Sequence, residues 1–240
     1  MKIIIGIGNK ARNGKDTLAT YLQTMLPNAH IIHFADQLYS QVENSDLQRP
    51  LAIQTPLNTT QTGYFLRDDF NDPHSYKLFL NEEVPALHEL YINPKDNIHM
   101  TGSLLWQMKS KAPELLQFWG TDYRRRLCSE NYWIDRTNET IETIHNTYDP
   151  KELVYFLLPD TRFQNEYDFV TQQDFGYYVK IKRMNPDGSQ YIDPFRDSKH
   201  ESEVGLDEIA SDYTIIADTG DLDTIKSEAE KFVDFLQTAI

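Results

Sequence analysis

Residues 3–17 read IIIGIGNKARNGKDT. A short apolar run rich in isoleucine passes directly into a polar loop. Such a continuous run fits a strand buried on both faces, as in a parallel sheet. After the loop, Leu18, Tyr21, Leu22 and Met25 recur at helical spacing, and Pro27-Asn28 stops the pattern. A strand, a tight turn and an immediate helix start aim successive backbone N–H groups at an anion. This stretch therefore predicts an α/β chain with a phosphate-binding loop at residues 8–17.

The loop departs from the usual pattern of Gly, four residues, Gly-Lys and Ser/Thr. Asn9 stands at the first Gly, and Asp16 at the Ser/Thr. After glycine, asparagine best tolerates positive φ, so Asn9 can keep the turn. A carboxylate beside polyphosphate is repelled unless a cation stands between, so Asp16 is expected to touch Mg²⁺ or orient an acceptor phosphate. Thr17 would supply the hydroxyl and help cap the helix. Lys15 is expected to reach the β- and γ-phosphates. The plain alternative is an ordinary Gly-Lys-Asp turn opening a helix.

Further along, HIIHFA (30–35) reads as a second short strand, and Asp36 opens another helix. Residues 44–100 are polar and show no sustained period; they read as an irregular, partly helical insertion. Residues 102–127 return to helix. Leu115, Leu116, Trp119, Tyr123 and Leu127 share one side, and Gln117, Thr121 and Arg125 the other. The helical pattern continues through YWIDRTNETIETIHNTY. ELVYFLLPD (152–160) is a buried strand, and RFQNEYDFVTQQ a helix. GYYVKIKRM (176–184) and DYTIIAD (212–218) are strands, and DLDTIKSEAEKFVDFLQTAI is a closing amphipathic helix. Strands alternating with helices at both ends give an α/β class with a mainly parallel sheet. The simplest organisation is one domain over 1–240, with 44–135 as an inserted, largely helical portion.

Composition narrows the function. The formal net charge of −14 argues against a nucleic acid polymer as partner. A small anion still fits a local pocket of Lys, Arg and N–H groups. The basic residues that cluster are Lys10, Arg12, Lys15, Arg124 to Arg126 and Arg162. No run of eighteen apolar residues is present, so no membrane span is expected, and the polar start is unlike a signal peptide. The lone Cys128 fits a reducing cytoplasm.

Three other constellations carry chemistry. LLPDTRFQNE (157–166) ends a buried strand in Asp160, with Arg162 two residues on. Ligands of open α/β sheets bind beyond the carboxyl ends of strands. There Asp160 can hold Mg²⁺ through water, and Arg162 a phosphate by its fork. Alternatively, Asp160 caps the next helix and Arg162 joins a surface pair. In GTDYRRRL (120–127), successive helical residues point about 100° apart, so the three arginines cannot serve one site. Arg125 shares a face with Gln117 and Thr121; a solvated charged face is the alternative. HESEVGLDEI (200–209) reads as a Ser-capped polar turn before a helix rather than a metal site from His200, Glu201 and Glu203. Trp106, Trp119 and Trp133 read as core.

Together KARNGKDT, LLQFWGTDYRR…YWI, LPDTRFQNEYD and HESEVGLD…DYTIIADTGDLDTI resemble, in order, the phage-type deoxynucleoside monophosphate kinases. The resemblance covers roughly the first forty residues and most of 102–240. It implies a three-layer P-loop kinase fold with an inserted helical acceptor and lid region. It implies transfer of the γ-phosphoryl of ATP, with Mg²⁺, to a deoxynucleoside 5′-monophosphate, in a homodimer in the (host) cytoplasm. On this resemblance Arg12, Asn13, Gly14, Lys15, Asp16 and Thr17 form the donor phosphate site. Asn13 replaces the family's usual Ser. Arg125 is similar to a phosphate-clamping lid arginine, with Arg124 as the fallback. Asp36, Gln117, Thr121, Asp160, Arg162 and Glu166 join them around the acceptor, with Asp16 and Asp160 at the metal. Lys15, Asp16, Arg125 and Arg162 are the expected catalytic set. Another small-molecule kinase similar to dephospho-coenzyme A kinases, or a non-catalytic nucleotide-binding module, are the rival readings.

Overall fold

The computed structural model describes residues 1–38, 51–54, 60–63, 120, 124–125, 129–194, 198 and 201–239. The chain forms two compact units, one of Met1–Phe34 with Ile134–Ile240 and one of Ala35–Trp133. Gln117, Thr121, Cys128, Trp106, Trp119 and His200 lie outside the described residues.

The first unit holds a five-stranded, all-parallel sheet in the order β2-β5-β1-β6-β7. Its strands are β1 (Lys2–Gly8), β2 (Ala29–Ile31), β5 (Val154–Thr161), β6 (Gly176–Met184) and β7 (Tyr213–Asp218). Ile3, Ile4, Ile5 and Ile7 of β1 are wholly buried. That is the physical sense of an unbroken isoleucine run: both faces are covered. Ile3, Ile5 and Ile7 pack in one core with Leu18 and Leu22 of α1 (Lys15–Met25) and Ala229 and Phe232 of α5 (Leu222–Ala239). The opposite face meets α3 (Gln164–Thr171), whose Val170 lies against Gly6. Helices on both faces make an α/β layered fold. Among the described residues the other helices are α2 (Tyr132–His145) and the short α4 (Glu201–Val204).

The β1–β5 register advances by one residue between Gly6↔Leu158 and Gly8↔Thr161. Pro159 sits in that bulge, where its missing N–H removes a ladder bond. Thr161 Oγ1 donates to the Leu158 carbonyl at 3.0 Å and closes the irregularity. β2 is shorter than the predicted 30–35. Ile32 N–H still bonds Leu157 O, but the Phe34 N–H turns to the Asp160 carboxylate at 3.0 Å.

The second unit contains an antiparallel pair, β3 (Leu51–Gln54) with β4 (Thr60–Gly63), registered Leu51↔Gly63 to Gln54↔Thr60. The pair lies within 44–100, the stretch expected to be irregular and partly helical; the rest of that stretch lies outside the described residues. Four-residue strands are too short for a sustained period, although Ile53, Thr60 and Thr62 favour extended backbone. Gly120, Arg124 and Arg125 have π-helical backbone, and Ser129 N–H bonds the Arg124 carbonyl at 3.1 Å. The helical pattern expected to run on into YWID is therefore interrupted, and Tyr132 begins a new helix. Trp133 is buried, as expected of a core residue, and its indole N–H donates to Gly120 O at 2.7 Å. Among the described residues no helix is long and apolar enough to cross a membrane.

Candidate functional site

The loop after β1 turns through positive φ at Asn9 (124°), Arg12 (56°) and Gly14 (96°). Gly14 is the N-cap of α1, with no side-chain cap hydrogen bond of its own. Asn9 meets the demand for positive φ that an asparagine can bear. Its Oδ1 also accepts from Lys10 N–H at 2.8 Å and from Gln190 Nε2 at 3.2 Å.

Asn13 is a clamp on the loop. It is 2% exposed, and its Nδ2 donates to Ala11 O at 3.0 Å and Tyr191 O at 3.4 Å. Its Oδ1 accepts the Arg183 N–H at 2.8 Å. The side chain thus faces the fold and braces the loop that the resemblance assigns to the donor phosphates. Arg12 is largely exposed and pairs with Asp193 at 3.2 Å. Lys10 is turned away to Glu203 O and the Asp207 carboxylate.

Lys15 opens α1 and is 5% exposed. Its Nζ donates to Asn9 O at 2.9 Å and Lys10 O at 2.7 Å. Burial, and then the nearby Arg162 guanidinium, push its ammonium well below the usual lysine range, to about 7; Glu203, Asp16 and Asp160 pull the other way. These five charged groups therefore share one electrostatic environment.

Three chain segments supply it. Asp16 follows Lys15, and its exposed carboxylate lies 3.2 Å from His33 Nε2. Asp160 and Arg162 come from the end of β5. Asp160 receives the Phe34 N–H, which holds the exit of β2. The capping of α3 is done by Glu166, which is buried and accepts from Arg162 N–H at 2.8 Å and Phe163 N–H at 3.1 Å. Its Oε2 holds the start of its own helix. Arg162 Nη1 donates to Glu203 Oε1 at 3.0 Å, and Ala11 N–H to Glu203 Oε2 at 2.9 Å.

The place in the sheet is informative. The loop leaving β1 leads to α1 on one face, and the segment leaving the adjacent β5 leads to α3 on the other. Such a divergence opens a crevice beyond the carboxyl ends of the two strands. The loop follows one of these strands and Arg162 ends the other's exit segment.

Asp36, Arg124 and Arg125 belong to the second unit. Asp36 starts a helical turn over 36–38. Arg124 is buried, with its guanidinium 5.0 Å from the Tyr132 ring centroid, whereas Arg125 is partly exposed.

Glu203 was weighed in the sequence only as part of a polar turn or metal cluster. That segment is itself α4, which corrects the expected turn before a helix. Its contact with Ala11 spans 192 residues, so no local pattern announces it. Among the described residues, no group of three or more His, Cys, Asp and Glu is arranged to hold a metal ion. No protein-family model and no curated protein sequence matches the chain. The functional reading therefore rests on the crevice and its charges.

Proposed function

We propose that the chain is an ATP-dependent deoxynucleoside monophosphate kinase with a P-loop kinase fold. The observation that carries the reading is the position of Lys15. It opens α1 after a loop turned by positive φ, at the crevice between β1 and β5, with Arg162 in the same electrostatic environment. The parallel order with a phosphate-type loop after the central strand supports the same fold.

Phosphoryl transfer needs positioning and charge neutralisation more than covalent chemistry. An acceptor phosphate oxygen, already ionised, attacks the γ-phosphorus of ATP. The bond from that phosphorus to the β–γ bridging oxygen breaks, and its electrons leave with ADP. Lys15 leaves the Asn9 and Lys10 carbonyls to meet the donor phosphates, and Arg162 neutralises charge between donor and acceptor. By the resemblance of the GTDYRR motif, Arg125, or Arg124 in its place, is the phosphate-clamping arginine of this reading. Asp16 and Asp160 fit Mg²⁺, a hard cation held by one or two carboxylates plus substrate phosphates. When bound, Mg²⁺ offsets the β,γ-phosphate charge. A homodimer and a cytoplasmic setting belong to this reading.

A coupled ADP-release assay tests it, with ATP, Mg²⁺ and each of the four deoxynucleoside monophosphates. ADP release dependent on a deoxynucleoside monophosphate is the expected result. Release with dephospho-coenzyme A or another small acceptor alone shifts the reading to a different P-loop kinase. ATP binding without acceptor-dependent release makes the chain a nucleotide-binding module.

A further inference from the structure

One carboxylate joins the loop after β1 to Arg162 at the exit of β5. Glu203 accepts the Ala11 N–H of the loop through Oε2 and the Arg162 guanidinium through Oε1, at 2.9 and 3.0 Å. Its side chain is 5% exposed, so both contacts lie out of bulk water, where a charge-assisted bond is strongest. The main chain beneath it is tied separately. Lys10 Nζ donates to the Glu203 carbonyl at 2.9 Å and to the Asp207 carboxylate at 2.7 Å. Lys180 Nζ donates to Asp207 O at 2.9 Å and to Ile209 O. The carboxylate is therefore delivered by an anchored segment.

We propose that Glu203 is a positioning residue for the phosphate site: it sets the turn of the loop at Ala11 and aims Arg162 into the crevice. This rests on the kinase reading for its functional consequence, but the Ala11 contact stands without nucleotide. The alternative role for the same contacts is occlusion, with the carboxylate holding donors that a phosphate must win. The two roles differ in sign. Loss of a positioning carboxylate weakens polyphosphate binding, whereas loss of an occluding one strengthens it.

The test uses the full chain as wild type, Glu203→Ala, Glu203→Gln and Lys15→Ala. Amide hydrogen exchange is followed at Ala11, with Ile5 in the buried strand as the internal control, and MgATP binding is titrated by calorimetry. Glu203→Ala should raise Ala11 exchange and weaken MgATP binding, each by about tenfold or more, the range expected for a lost bond to a charged group. Glu203→Gln keeps a carbonyl acceptor for Ala11 but loses the ion pair, so it should restore Ala11 protection and not full affinity. Wild-type exchange and affinity in Glu203→Ala overturn the proposal, and so does tighter MgATP binding. Should Ile5 protection collapse in Glu203→Ala, Glu203→Gln decides: wild-type affinity there is equally adverse. If the wild type itself does not bind MgATP, the kinase reading fails. Ala11 exchange then decides alone whether Glu203 sets the loop.

Discussion

The Lys15 ammonium donates to the Lys10 carbonyl oxygen at 2.7 Å, and so folds back on the loop that precedes it. With Asn9 O as a second acceptor, the cation is solvated by its own backbone while 5% exposed. A triphosphate offers better-charged acceptors for the same group.

Lys15→Ala is accordingly expected to lower turnover by about 10³-fold or more, in line with losing a cation at a developing phosphoryl charge. The fold should survive, since the Ile3–Ile7 core contains none of the lost contacts. Initial rates of ADP release and a thermal melt separate the two effects. Near-normal turnover in this variant would sink the kinase reading.

Lys15 should also give stability a pH dependence. In the unfolded chain its proton is held to the ordinary lysine value, and in the folded chain it is lost near 7. Between about 7 and 10.5 the unfolded state binds more protons, so the free energy of unfolding rises with pH across that window. Below it both states are charged, and the full cost of burying the ammonium is felt. Urea unfolding of wild type and Lys15→Met at several pH values isolates this slope. Parallel pH profiles for the two proteins would contradict it.

Asn9 tests backbone conformation directly. At φ 124° a side chain with no local acceptor is strained, and alanine also loses the bonds to Lys10 N–H and Gln190. Asn9→Ala should be less stable than Asn9→Gly by about 1 kcal/mol. Denaturant midpoints of the two variants, measured side by side, check the order.

Gly8 and Tyr178 form a close approach at the root of the loop. A Cβ on Gly8 would stand 2.0 Å from the Tyr178 hydroxyl and 2.6 Å from its ring. Tyr178 is wholly buried, so Gly8→Ala should cost about 3 kcal/mol, the upper end of overpacking. The Tyr178 hydroxyl has no hydrogen-bond partner among the described residues, and burial raises its pKa above the usual phenol range. Tyr178→Phe should therefore be neutral or stabilising by up to about 1 kcal/mol. Thermal denaturation distinguishes the opposite signs.

Much of the first unit was legible locally. The isoleucine run, Gly14-Lys15 and the 18/21/22/25 spacing announced β1, the loop and α1, because burial on two faces and one helix face each leave a short-range pattern. The strand at 176–184 was legible for the same reason. The β3–β4 pair was missed because strands of four residues are shorter than the periodic signal needed to find them. The motifs hold Asn13 and Glu166 without saying where their side chains turn; their distant and local partners decide that.

Sequence alone established a parallel α/β frame and a loop with a lysine at a helix start, since strand burial, helix periodicity and positive-φ tolerance are properties of neighbouring residues. The polar partnerships came from folding: Phe34 with Asp160 across 126 residues, Asn13 with Arg183 across 170, and Ala11 with Glu203 across 192. Parallel strands join through long crossovers, so residues that line one crevice arrive from distant segments. Their packing also excludes water from Lys15, and that exclusion lowers the pKa of its ammonium and leaves backbone carbonyls as its partners.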